Sequence, residues 1–179
     1  WQPVLELFPR ATYATLQKSY RTTIEIMEIA NEILMQMDED LPLVEPVVRH
    51  GKKPEFIASE QFDIKIIANV LTEIKANQHK SIALICKTTK EAQHLIKELE
   101  KSNIPSQILS EDSGIDQEKL LVIPSHLAKG LEFDAVIITS LDTPYYDTPL
   151  DRKLLYVALT RAMHELYLIG PSKKNFLME

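Results

Sequence analysis

The chain has 179 residues and a mass of 20.5 kDa, with 45% hydrophobic and 26% charged residues and a formal charge of −6. That size supports one core, the apolar fraction is too high for a disordered chain, and the acidic balance argues against a stand-alone nucleic-acid binder held by charge. A lone cysteine, Cys86, excludes an internal disulfide and a multi-cysteine metal site, and no run approaches the roughly 20 apolar residues of a membrane span. The opening residues, Trp1-Gln2-Pro3-Val4, carry neither Met nor a basic signal region. We therefore expect a piece of a longer protein in a reducing, cytoplasmic setting.

The first predicted element is a helix over Leu16 to Met37. Ile26, Met27, Ala30, Ile33, Leu34 and Met37 recur at helical spacing, and Asp38-Glu39-Asp40 with Pro42 ends it. The Pro-rich stretch Leu41 to Pro54 reads as a connector, with a short extended piece at Val44 to Val48. Glu55 to Ser59 is a predicted strand, and Gln61 to Asn77 an amphipathic helix.

A strand–helix alternation follows. Ser81 to Cys86 is a continuous apolar run, suited to a strand buried on both faces. Thr88 and Glu91 can cap a helix over Lys90 to Lys101. Ser106 to Ser110, Lys119 to Ile123, Asp134 to Thr139 and Glu165 to Ile169 are further strands. Glu111 to Glu118 is a polar loop, and Asp151 to Ala162 is a helix. This pattern predicts a three-layer α/β domain with a mainly parallel, doubly wound sheet.

Ligands of such sheets gather at the carboxyl ends of strands. Three segments carry candidate chemistry. In Ser19-Tyr20-Arg21-Thr22, an arginine at a helix start opposes the macrodipole; it calls for an anionic partner or is simply solvated or salt-bridged. In Ser125 to Phe133, Gly130 permits a positive-φ turn, His126 and Lys129 can meet phosphates, and Glu132 can accept from a sugar hydroxyl; a plain polar loop accounts for them equally. In Leu155 to Ala162, Arg161 suits a helix C-terminus on structural grounds alone. His50, His79, His94 and His164 show no metal-ligand spacing, so no metal site is expected, and Cys86 reads as a small buried hydrophobe.

Taken together, these segments resemble the second half of a superfamily I helicase motor of the UvrD/Rep/PcrA type. LQKSYRTTIEIMEIANEIL (Leu16 to Leu34) is similar to motif IV, HLAKGLEFDAVII (His126 to Ile138) to motif V, and LLYVALTRAMHELYL (Leu154 to Leu168) to motif VI. Ile82 to Pro105 is similar to the stretch between motifs IV and V. The wording around motif V is closest to the HelD-like branch, whose members act on RNA polymerase.

The resemblance implies a RecA-like (2A) domain over residues 1–179, with a core of about 16–170, facing a missing N-terminal RecA-like domain across an ATP cleft. It implies that Arg21 and Arg161 approach the γ-phosphate. It further implies that Tyr20, Gly130 and Glu132 lie by the nucleotide, and His126 and Lys129 by nucleic acid. ATP with Mg2+ would be the cofactor, bound mainly by the other domain. Single-stranded or duplex DNA would be the partner, or RNA polymerase under the HelD-like alternative of a remodelling factor. The sequence has no GxxxxGK[ST] and no Asp-Glu pair after an apolar strand, so this chain alone should not hydrolyse ATP. Only Ser106 to Glu118 stands where the family's 2B insertion belongs, so no 2B domain is expected. Pro124 stands where motif V usually has a threonine.

Overall fold

The computed structural model describes residues 22–37, 49–112, 114–116, 118–141 and 143–178. Among these, six strands form one sheet in the order β1-β6-β5-β2-β4-β3. The strands are β1 (Glu55–Ala58), β2 (Ile82–Cys86), β3 (Ser106–Ile108), β4 (Leu120–Pro124), β5 (Phe133–Thr139) and β6 (Ala162–Gly170). Every pairing between these neighbours is parallel. The helices are α1 (Ile24–Met35), α2 (Ile64–Ala76), α3 (Thr89–Lys101) and α4 (Pro149–Leu159). Short 3-10 turns occupy Ser125–Leu127 and Lys173–Phe176.

The apolar runs alternate between two cores. Ala83, Ile85, Leu121, Ile123, Val136, Ile138, Leu166 and Leu168 face α1 and α4, with Tyr145 and Phe176 beneath them. Leu84, Cys86, Val122, Ala135, Ile137 and Tyr167 face α2 and α3. Burial on both sides explains why β2 and β4 read as unbroken hydrophobic runs. The doubly wound α/β expectation is thereby met. β3 and β4 are joined by residues 109–119, where Gln107 donates to the Gly114 carbonyl and accepts from the Asp116 N–H.

Helix ends follow local chemistry. Thr23, Asp63, Thr88 and Thr148 accept from the first-turn backbone of α1, α2, α3 and α4. At α4 the Thr148–Asp151 pair forms a capping box with Pro149 in the first turn. At α3, Glu91 reaches back to the Lys87 N–H at 3.0 Å, one residue before the cap. α2 and α3 both end in Schellman motifs: Gln78 and Asn103 take positive φ, and the His79 and Ile104 N–H groups reach back to Ile74 and Leu99.

Several boundaries differ from the sequence expectation. α1 begins at Ile24, capped by Thr23. α4 stops at Leu159, and Ala162 already belongs to β6, so Arg161 stands in the turn between helix and strand. The reason is pairing: the Arg161 carbonyl accepts from the Phe133 N–H at 2.9 Å, which draws the chain into the sheet. Tyr20, Arg21 and the extended piece at Val44 to Val48 lie outside the described residues. No helix among the described residues is long and apolar enough to cross a membrane.

Candidate functional site

β2 and β5 are neighbours, yet their outgoing connections cross opposite faces of the sheet. The crevice at their carboxyl ends is therefore the topological switch point. It is filled by the protein's own polar groups. Lys87 Nζ donates to Asp151 at 2.9 Å and to the Pro144 carbonyl at 2.7 Å. Glu91 accepts from the Thr143 hydroxyl at 2.7 Å, and Ser125 donates to the Lys87 carbonyl at 2.8 Å. Cys86 is fully buried in β2, and burial pushes its thiol pKa up, as suits a packing residue.

The candidate motif residues gather elsewhere. The crossover from β4 to β5 runs from the carboxyl end of one strand to the amino end of the other. His126 follows the end of β4 and is exposed, as is Lys129. The Leu131 N–H then donates to the Ala128 carbonyl at 3.2 Å, closing a turn in which Gly130 has φ +85°. A Cβ at Gly130 would meet nothing within 4 Å, so conformation requires glycine here, not lack of space. Glu132 comes next, immediately before β5.

Arg161 reaches this same turn. Its Nη1 donates to the Leu131 carbonyl at 3.2 Å, its Nε to the Val157 carbonyl at 3.0 Å, and its Nη2 to the Thr160 hydroxyl at 3.1 Å. Burial lowers the Arg161 pKa, while the nearby Glu132 and Tyr156 act in the opposite sense. The guanidinium stays charged regardless. These hydrogen bonds to the Leu131 and Val157 carbonyls and the Thr160 hydroxyl go to neutral acceptors and fix the plane of the guanidinium. Sequence spacing separates motifs V and VI; the structure joins Gly130, Glu132 and Arg161. They lie at the amino ends of β5 and β6, not at the carboxyl ends where ligand-facing residues were expected.

The start of α1 is tied to this edge as well. Thr22, 1% exposed, donates from Oγ1 to the Ala162 carbonyl at 2.6 Å. The Ile24 N–H donates to the Arg49 carbonyl at 2.9 Å, and the Arg49 guanidinium donates to the Met163 carbonyl. Thr22 was missed in the sequence because a buried threonine carries no charge or spacing signal. It is the chain neighbour of Arg21, as Ala162 is of Arg161.

A second cluster was also missed. His79, Asp134 and His164 offer ligand atoms that all lie within 4.8 Å of one another. Far apart in sequence, they are brought together only by the parallel pairing of β5 with β6 and by the turn after α2.

Family models described as UvrD-like helicase C-terminal domain match residues 14–113 and 119–169. The chain belongs to the UvrD-like helicase C-terminal domain family. It is 37% identical over 82 residues to a probable DNA helicase of Mycoplasma pneumoniae, an alignment covering 40% of this chain and 16% of that protein. The chain thus corresponds to a small part of that relative's length. It also resembles the solved C-terminal domain of a possible DNA helicase from Lactobacillus plantarum WCFS1. There the TM-score is 0.70 with 29% identity, over 84% of this chain and 86% of the other.

Proposed function

We propose that residues 1–179 form the C-terminal RecA-like motor domain of an ATP-dependent DNA helicase or translocase, with a core of about 16–170 and a cytoplasmic location. In this reading it works against an N-terminal RecA-like domain that holds ATP and Mg2+. The observation that carries the reading is the Arg161 junction. A partly buried guanidinium is fixed by the Leu131 and Val157 carbonyls beside an open, glycine-containing turn. That arrangement suits an anion with several oxygens. ATP supplies the transferable phosphoryl group when bound; this chain supplies positive charge and orientation.

Arg161 offers its charge to the equatorial oxygens, a contribution worth roughly 10³–10⁵ in rate in studied NTPases. Arg21 and Tyr20, which precede Thr22 in the chain, are assigned to the same nucleotide, Arg21 to the γ-phosphate. Gly130 keeps the backbone accessible, and Glu132 accepts from the ribose. His126 and Lys129, exposed beyond the end of β4, contact the nucleic acid. Because the cation and the nucleotide belong to different domains, phosphate contact favours closure of the two, and its loss favours opening.

The two relatives are described as a probable DNA helicase and the C-terminal domain of a possible DNA helicase, which favours a DNA motor over an RNA-polymerase-associated factor. The test is the full-length protein. DNA-stimulated ATP turnover together with strand separation on tailed duplexes is the expected result. Turnover without separation, combined with co-purification of RNA polymerase, would contradict it.

A further inference from the structure

We propose that His79, Asp134 and His164 form a binding site for Zn2+ at the amino edge of the sheet. Three independent features of the chain assemble it. The Schellman end of α2 delivers His79. Asp134 stands at the start of β5. A register shift then places both Met163 and His164 against Asp134, since Phe133 pairs with Ala162 and Ala135 with Glu165. Such a bulge re-aims side chains, and here it brings His164 onto His79. The two rings stack with centroids 4.9 Å apart and planes 14° from parallel.

Backbone groups already hold Asp134, and Glu165 stands beside His79. One Asp134 oxygen accepts from the Lys80 and Ser81 N–H groups, at 3.1 and 3.3 Å, leaving the other for an ion. His79 Nε2 lies 3.1 Å from a Glu165 carboxylate oxygen, leaving Nδ1. A carboxylate at this distance is placed to become the hydrogen-bond partner that accompanies metal-bound imidazoles, and this Glu165 oxygen has no hydrogen bond of its own. Glu165 is itself held by Asn77 at 3.0 Å and the Tyr167 hydroxyl at 3.1 Å. Two imidazoles and a carboxylate suit Zn2+ and leave its fourth position to water.

The site is latent, and Arg49 is the reason. Its Nη2 lies 2.7 Å from His164 Nδ1. An ion on Nδ1 takes the lone pair that Arg49 uses. An ion on Nε2 requires the ring proton to sit on Nδ1, where an Arg49 N–H now points. Either way Zn2+ competes with Arg49. Tetrahedral ligands about 2.0–2.2 Å from zinc lie roughly 3.3 Å apart, so binding also draws the side chains together and breaks the ring stack.

The inference does not depend on the motor reading, because its readout is metal binding. Full-length protein without nucleotide is titrated with Zn2+ by calorimetry, and with Co2+ for its visible absorption. One ion is expected to bind with loss of affinity of at least tenfold in His79→Ala, His164→Ala and Asp134→Asn. Asp134→Asn keeps an amide oxygen for Lys80 and Ser81, so it guards against unfolding of the others, which thermal melts report. Arg49→Ala should bind several-fold more tightly than the wild type. Absence of binding in both wild type and Arg49→Ala, or affinity unchanged in Asp134→Asn, would overturn the proposal.

Discussion

The Arg161 guanidinium donates to the Leu131 carbonyl at 3.2 Å, while the Arg161 carbonyl receives the Phe133 N–H at 2.9 Å. Arg161 thus grips the chain on both sides of Glu132, the residue that leads from the Gly130 turn into β5. A displacement of the turn is felt at Arg161, and the reverse.

Arg161→Lys tests that geometry apart from charge. Lysine keeps the cation but lacks the planar fork that meets Leu131 and Val157 together. We expect a loss of about 1–3 kcal/mol of stability by chemical denaturation, and ATP turnover of the full-length protein well below wild type. Wild-type turnover in this variant would show that charge alone suffices.

Thr22→Val should leave the Ala162 carbonyl without its buried donor. The expected cost is about 1–3 kcal/mol, with Thr22→Ser close to wild type. Equilibrium unfolding of the three proteins measures it. Equal stability of all three would remove Thr22 as the tie between the start of α1 and β6.

Gly130→Ala meets no steric obstacle, so its cost is that of a positive φ in an L-residue, about 1–2 kcal/mol. The loss should appear as a lower denaturation midpoint with an unchanged m-value. A neutral result would mean the turn relaxes to another conformation.

Lys87 and Asp151 are 13% and 9% exposed, and their ion pair sits at the switch-point crevice. Lys87→Met leaves a buried carboxylate without its cation and should cost about 3–5 kcal/mol. The double variant Lys87→Met/Asp151→Leu recovers the charge penalty but loses the α4 capping box, so by equilibrium unfolding its stability should fall between those of wild type and Lys87→Met.

The sheet was legible in the sequence because its signal is local. Ile82 to Cys86 is apolar at every position, and burial on both faces leaves no other use for such a run. The cap at Thr88 was local too. The exchange of Ala162 from helix to strand was not, since its pairing partner, Phe133, lies in another part of the chain. The strand ends that carry the candidate residues were misplaced for a related reason. Arg161 and Glu132 each stand beside a strand in sequence, but which end faces the site depends on the direction in which the crossover runs. His79, Asp134 and His164 left no trace in spacing because three separate elements supply them.

The most direct test of the central claim is ATP turnover by the full-length protein carrying Arg161→Ala, measured with and without DNA. The account predicts a fall in kcat of at least about 10³-fold at saturating nucleotide and DNA, since the variant removes charge needed as the phosphoryl group transfers. A kcat unchanged from wild type, with Arg161→Ala folded by thermal melt, would contradict the role assigned to Arg161.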